Sequence, residues 1–154
     1  MQPTVQPFVH LGIRSEFSVV DSIIRLGDLV KAAAADRMPA LALTDLSNLY
    51  AAVKFHKACQ GKGIKPIFGS EVVVGTEQTR VTLLAMNQTG WRHLIEIVSR
   101  GYTDCLNLGV PQVEREWIFA KHEGLIVLLG QHSEVGKLLC SAVPERAQPV
   151  VQAW

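Results

Sequence analysis

Short apolar runs alternate along this chain with longer stretches in which apolar residues recur every three or four positions. The first kind of pattern predicts strands and the second amphipathic helices. Phe8–Ile13 reads as a strand. Arg25–Asp36 reads as a helix whose Leu26, Leu29, Val30 and Ala33 share one face, and Ala40–Thr44 as a buried strand. Ser47 is placed to cap a helix from Asn48 to about Gln60, with Val53, Lys54 and Lys57 at helical spacing and Gly61-Lys62-Gly63 as its stop. Strands are predicted at Ile64–Phe68, Val72–Val74 and Val81–Met86, the last two separated by a polar turn over Gly75–Thr79. Thr89 then caps a helix to about Gly101 that buries Leu94, Ile95 and Val98. Asp104–Val113 has no clear period and reads as a loop. A short helix at Glu114–Lys121, a strand at Leu125–Leu129 and a helix at Glu134–Ala142 complete the pattern, and Pro144 opens a last segment running to Trp154.

Strands alternating with helices imply an α/β domain with parallel strands and right-handed crossovers. Hydrophobic residues make up 48% of the 154, enough for strands buried on both faces. No apolar run is long enough to span a membrane, and Met1 to Pro7 is a short polar lead-in rather than a charged-then-apolar signal. Cys59, Cys105 and Cys140 are scattered without metal-ligand spacing and are expected to be reduced thiols. The net charge is +1, from 15 basic and 14 acidic residues spread evenly. A domain that grips duplex DNA by itself gathers a basic surplus on one face, so a main DNA-binding surface is not expected here. The chain has no GxSxG elbow, phosphate-binding glycine loop or HExxH pair.

The segment from Phe8 to Ser18, FVHLGIRSEFS, resembles the first motif of the PHP domain as it begins bacterial DNA polymerase III alpha subunits. ALALTDLSNL from Ala40 resembles the second motif, and GIKPIFGSE, ending on Glu71, the next strand. RVTLLA from Arg80 and NQTGWRHL from Asn87 are similar to the polymerase branch of the family. The resemblance covers Phe8 to Gly136. It implies a distorted (β/α) barrel, incomplete here because a full barrel takes roughly 250 residues. Residues 1–154 are accordingly expected to be the N-terminal part of a PHP domain in a longer polymerase chain.

In metal-binding relatives, histidines and carboxylates at the barrel mouth hold metal ions that activate water and stabilise phosphoryl charge. The matching positions here are Gly12, Arg14, Asp21, Leu46, Glu71, Arg80 and Gln131. Of these only Asp21 and Glu71 are good ligands. Gly12 and Leu46 offer no donor atom, Gln131 is a weak neutral one, and a guanidinium has no lone pair to give. A metal-free, vestigial pocket is therefore expected. Arg14 and Arg80 are either solvated surface charges or replacements for the ions, pairing with Asp21, Glu71 and Asp45 through their fork-shaped heads. His10 is expected to be a core imidazole bonded to backbone. His56 and His93 should be solvated, while His122 and His132 flank a strand, His132 one residue from the ligand position at Gln131.

The resemblance implies template-directed DNA synthesis in the cytoplasm by a multisubunit replicase. The catalytic Mg and the DNA contacts would lie in later domains, with no cofactor in this segment. It also implies that a decayed PHP domain is the docking place of a proofreading exonuclease subunit. The alternative is a metal-dependent phosphoesterase, or a PHP domain with its own 3'-5' exonuclease activity, which the ligand losses oppose. Incomplete closure of the barrel predicts poorly covered inner faces at Ala40–Thr44 and Leu125–Leu129, and hence low solubility of these residues alone.

Overall fold

The computed structural model describes residues 8–141 and 143–154, so the polar lead-in of residues 1–7 and the predicted helix end at Ala142 lie outside the described residues. In chain order the elements are α1 (Leu26–Ala35), β1 (Ala40–Leu43), α2 (Ala52–Gln60), β2 (Lys65–Val74), β3 (Thr79–Ala85) and α3 (Gln88–Thr103). They continue with β4 (Leu106–Asn107), β5 (Val110–Val113), α4 (Arg115–Ala120), β6 (Leu125–Leu128), α5 (Glu134–Leu139), a 3-10 turn at Pro144–Arg146 and α6 (Ala147–Gln152).

The α/β class is as expected, but the strand directions are mixed. Among the described residues β1 and β5 run parallel to β2, while β3 pairs antiparallel with both β2 and β6, and β4 with β5. Among the described residues the sheet does not close. Two of the antiparallel pairs, β2–β3 and β4–β5, arise where the chain turns back through connections too short for a helical crossover, as at Gly75–Gln78, while β3 and β6 are brought together across α3 and α4.

β2 is one strand of ten residues rather than the two predicted. Gly69 does not break it: the residue marks a close approach, since a Cβ there would come 2.5 Å from the Leu83 carbonyl oxygen. Conversely, Phe8–Ile13 does not form a regular strand. Among the described residues it lies along β1 through two backbone bonds, Ala42 N–H to the His10 carbonyl (2.9 Å) and Thr44 N–H to the Ile13 carbonyl (2.7 Å), with a bend at Leu11 between them. The predicted loop at 104–113 contains the β4–β5 hairpin, whose turn residues Leu108 and Gly109 both have positive φ (50° and 80°). That is the conformation of a tight hairpin turn, and Leu in place of the usual Asn or Asp hides it from sequence.

Two helix starts also differ from expectation. Ser47 has φ 50° and, among the described residues, its buried hydroxyl has no hydrogen-bond partner, so it caps nothing; its N–H is bonded to the Glu71 carbonyl. Asn48 instead shapes the turn, accepting from Tyr50 N–H (3.2 Å) and donating to the Leu46 carbonyl (3.0 Å), and α2 begins only at Ala52. The cap of α3 is Asn87, whose Oδ1 accepts from Gly90 N–H at 2.9 Å, not Thr89.

Two apolar cores flank the site. One joins α1, β1 and α2 through Leu26, Val30, Leu41, Leu43, Phe55 and Cys59. The other joins β2, β3, β5, α3 and α4 through Val72, Val81, Leu83, Leu94, Ile97 and Ile118. Ile97, not the predicted Ile95, is the third core position of α3. β1 is buried over Leu41–Leu43, because α1 and α2 close over it, with only Ala40 half-buried; in β6 Ile126 is open to solvent.

Cys59 is buried while Cys105 is half-buried and Cys140 exposed. Burial pushes the Cys59 thiol up to about 11. A thiol reagent at neutral to mildly basic pH is therefore expected to modify Cys140 first and Cys105 next, and Cys59 only as the chain unfolds. Counting modified thiols against time in native buffer and in denaturant checks this; rapid native labelling of all three would contradict it.

Candidate functional site

The polypeptide between the first motif and α1 folds back over the C-terminal end of β1. Asp45, just past that strand, is 2% exposed. Its Oδ1 accepts from Ser15 N–H (2.7 Å) and the Ser18 hydroxyl (2.8 Å), and its Oδ2 from the Ser15 hydroxyl (2.8 Å). Ser18 Oγ in turn accepts from Leu46 N–H at 2.9 Å, and Ser70 donates to the Asp45 carbonyl at 2.8 Å. A buried carboxylate is tolerable when its lone pairs are filled this way. The clasp ties residues 15–18 to the end of β1 and, through Ser70, to the middle of β2.

This clasp sets the course of the segment carrying Arg14. The Arg14 guanidinium bonds Glu71 Oε2 through Nη2, and its Nη1 lies 3.5 Å from Asp21 Oδ2. Arg80 Nη1, from β3, reaches the same Asp21 oxygen at 3.4 Å. The four side chains form a chain of alternating charge, Glu71–Arg14–Asp21–Arg80. Glu71 is its most buried member, with 12% of its side chain exposed against 25% for Arg14 and Asp21 and 30% for Arg80. Ser22 donates to the Arg14 carbonyl at 2.8 Å and steadies the loop bearing Asp21.

The structure thus brings together Arg14, Asp21, Glu71 and Arg80 of the residues singled out in the sequence. Asp45 does not join them, because its acceptor sites are taken by Ser15 and Ser18. Gly12 borders the same open cavity of about 490 Å³ as Arg14, Asp21 and Glu71, and so does His10. His10 is exposed and edge-on to Phe8 at 4.7 Å, which corrects its reading as a core imidazole. Leu46 bridges Glu71 through backbone only. Gln131 is exposed, its side-chain nitrogen 3.0 Å from His132 Nε2. His56 is exposed as expected. His93 is not freely solvated: its Nδ1 lies 3.0 Å from the Glu123 carbonyl. Sequence reasoning missed Ser15 and Ser18. Their hydroxyls three residues apart within the first motif were a visible signal, but the carboxylate they meet is 27 and 30 residues away.

A divalent cation does not fit this arrangement. The space between Asp21 and Glu71 is filled by a guanidinium, a fixed cation with donors only. Among the described residues no three His, Cys, Asp or Glu side chains gather as a ligand set.

The sequence profile of the PHP domain matches residues 10–154. The chain belongs to the PHP domain family. Within that family its sequence is similar to DNA polymerase III subunit alpha of Pseudomonas fluorescens, 39% identical over 153 residues, which covers 96% of this chain and 13% of that protein. The same subunit of Escherichia coli (strain K12) is 41% identical over 138 residues, covering 86% of this chain and 12% of that protein. This PHP chain therefore spans only 12–13% of the length of these curated relatives. An amidohydrolase structure from Chromobacterium violaceum covers 94% of the chain and 54% of its own, at 17% identity and a TM-score of 0.47, too low for a shared fold to be read from it. Among the described residues no helix is long and apolar enough to cross a membrane.

Proposed function

We propose that this chain is the opening part of the PHP domain of a bacterial DNA polymerase III alpha subunit, acting there as a metal-free scaffold on which a proofreading exonuclease docks. The observation that carries the scaffold reading is the Arg14 guanidinium seated between Glu71 and Asp21. An immobile cation holds the two carboxylates together as an ion would, but it cannot lower the pKa of a water or accept a phosphoryl oxygen into its coordination shell. The similarity to polymerase III alpha subunits supports the wider setting: DNA synthesis by later domains with their own Mg, in a cytoplasmic holoenzyme with further subunits. The near-neutral charge of this segment agrees with DNA being held by those later domains.

Two measurements test this reading. Elemental analysis of the full-length protein after dialysis is expected to find Zn and Mn well below one ion per chain at this domain; a stoichiometric, tightly held ion would overturn the metal-free part. A pull-down should recover the cognate exonuclease, and a nuclease assay in Mn or Zn should show no DNA degradation by the protein alone. Metal-dependent degradation that disappears in Glu71→Ala would favour an enzyme of the phosphoesterase or exonuclease kind instead.

A further inference from the structure

Helices α2 and α3 both pack on β2, yet little contact joins them to each other. The gap between them is a groove made of two adjoining cavities, of about 680 and 540 Å³, that share Ala52, Val53 and Trp91. Phe68 and Trp91 lie against each other in it, ring centroids 5.2 Å apart. Large apolar side chains along it remain in water: Val53 is 69% exposed, Tyr50 67% and Met86 65%. A contiguous apolar strip of this kind marks an interaction surface more often than scattered exposed residues do.

On the α2 and β2 side of the groove the charge has one sign. Residues 46–70 contain Lys54, Lys57, Lys62 and Lys65 and no Asp or Glu. Lys54 is turned aside, its ammonium 5.1 Å from the Phe17 ring centre. Lys57, Lys65 and Arg92 are exposed, and none has an ion-pair partner among the described residues. The one carboxylate of α3, Glu96, is bound to Lys121 at 3.0 Å. An apolar floor with an uncompensated basic rim is complementary to a segment that is apolar on one side and acidic on its flanks.

The backbone decides the shape of that segment. Among the described residues β2 has no partner over Lys65–Phe68 on the side away from β1, but Pro66 interrupts this edge and cannot donate to an added strand. We propose that the α2–α3 groove docks an acidic amphipathic helix of a partner protein. Apolar residues at helical spacing would enter against Phe68 and Trp91, and Asp or Glu on the flanks would meet Lys57, Lys65 and Arg92. The inference rests on the reading of this chain as a docking module and adds the surface and the chemistry of the docked segment.

The test uses fluorescein-labelled synthetic helices, one with Leu on one face and Glu on its flanks and one with the Glu replaced by Lys, titrated by anisotropy into the full-length protein. The acidic helix is expected to bind, more weakly at higher salt, and the basic helix not to bind. Val53→Glu and the double variant Lys57→Glu/Lys65→Glu alter exposed side chains, and each should weaken binding by about tenfold or more. Equal binding of both helices, or no loss in either variant, would overturn the proposal. So would a concentration-dependent self-association that Val53→Glu abolishes, since the groove would then be occupied by a second copy. If the acidic helix fails while the exonuclease still co-purifies, this inference falls alone. If the helix binds and the exonuclease does not, the exonuclease reading falls and the groove stands.

Discussion

Asp45→Ala is expected to lower the unfolding free energy by about 4 kcal/mol, near the upper end of what a single substitution does. The carboxylate is 2% exposed and accepts three hydrogen bonds, from Ser15 N–H and from the hydroxyls of Ser15 and Ser18. Bonds to a charged acceptor contribute roughly 1.5–3 kcal/mol each, and a buried donor left unpaired costs roughly 1–3 kcal/mol. The Ser15 N–H has no alternative partner once the carboxylate is gone. The hydroxyls can turn elsewhere, which keeps the total below a simple sum. Asp45→Asn should lose less, because its amide oxygen can still accept from Ser15 N–H while a hydroxyl rotates to accept from the amide nitrogen. Denaturant titration of the three forms gives the ranking. A loss under about 1 kcal/mol for Asp45→Ala would show that the clasp does not hold residues 15–18. Displacing that segment also moves Arg14, so the variant should lose the charge chain along with the clasp.

Arg14→Ala is expected to cost about 3 kcal/mol. Removing one partner of a buried ion pair costs roughly 3–5 kcal/mol because the other charge stays behind without solvent. The lower end applies because the Arg14 side chain is itself 25% exposed, although Glu71 is only 12% exposed. Arg25→Ala is the control: its side chain caps nothing and is exposed, so the change should stay within about 0.5 kcal/mol. In the double variant Arg14→Ala/Glu71→Gln the stranded charge is gone, and part of the stability should return. Arg14→Lys should fall between, since one ammonium cannot reach both Glu71 and Asp21 in the way a planar fork does. Equal stability of Arg14→Ala and Arg25→Ala would place Arg14 outside any stabilising network.

That Gly12, Arg14, Leu46 and Arg80 bring neither imidazole nor carboxylate to this part of the fold was legible in the sequence, because it depends on residue identity alone. The pairing that follows was legible only as a set of possible partners. Arg14 had Asp21, Asp45 and Glu71 to choose among, and the choice turned on two serines that saturate Asp45. Local pattern cannot reveal this, since hydroxyls carry no period and their partner is distant in the chain. The α2–α3 groove was hidden for a similar reason: helical spacing alone does not say which face of α2 packs on β2, and that packing leaves Val53 69% exposed.

By itself the sequence determined the α/β class, the positions of most helices and strands, and the family. Those features depend on apolar periodicity, turn residues and residue identity, all of which act over a few neighbouring positions. The tertiary structure alone decided which strands pair antiparallel, that Gly69 lies within a continuous strand, and that Arg14 rather than Asp45 organises the charge chain. Each of these rests on which distant groups compete for the same donor, acceptor or space. Such competition is settled only when the segments between Ser15 and Arg80 have folded against one another.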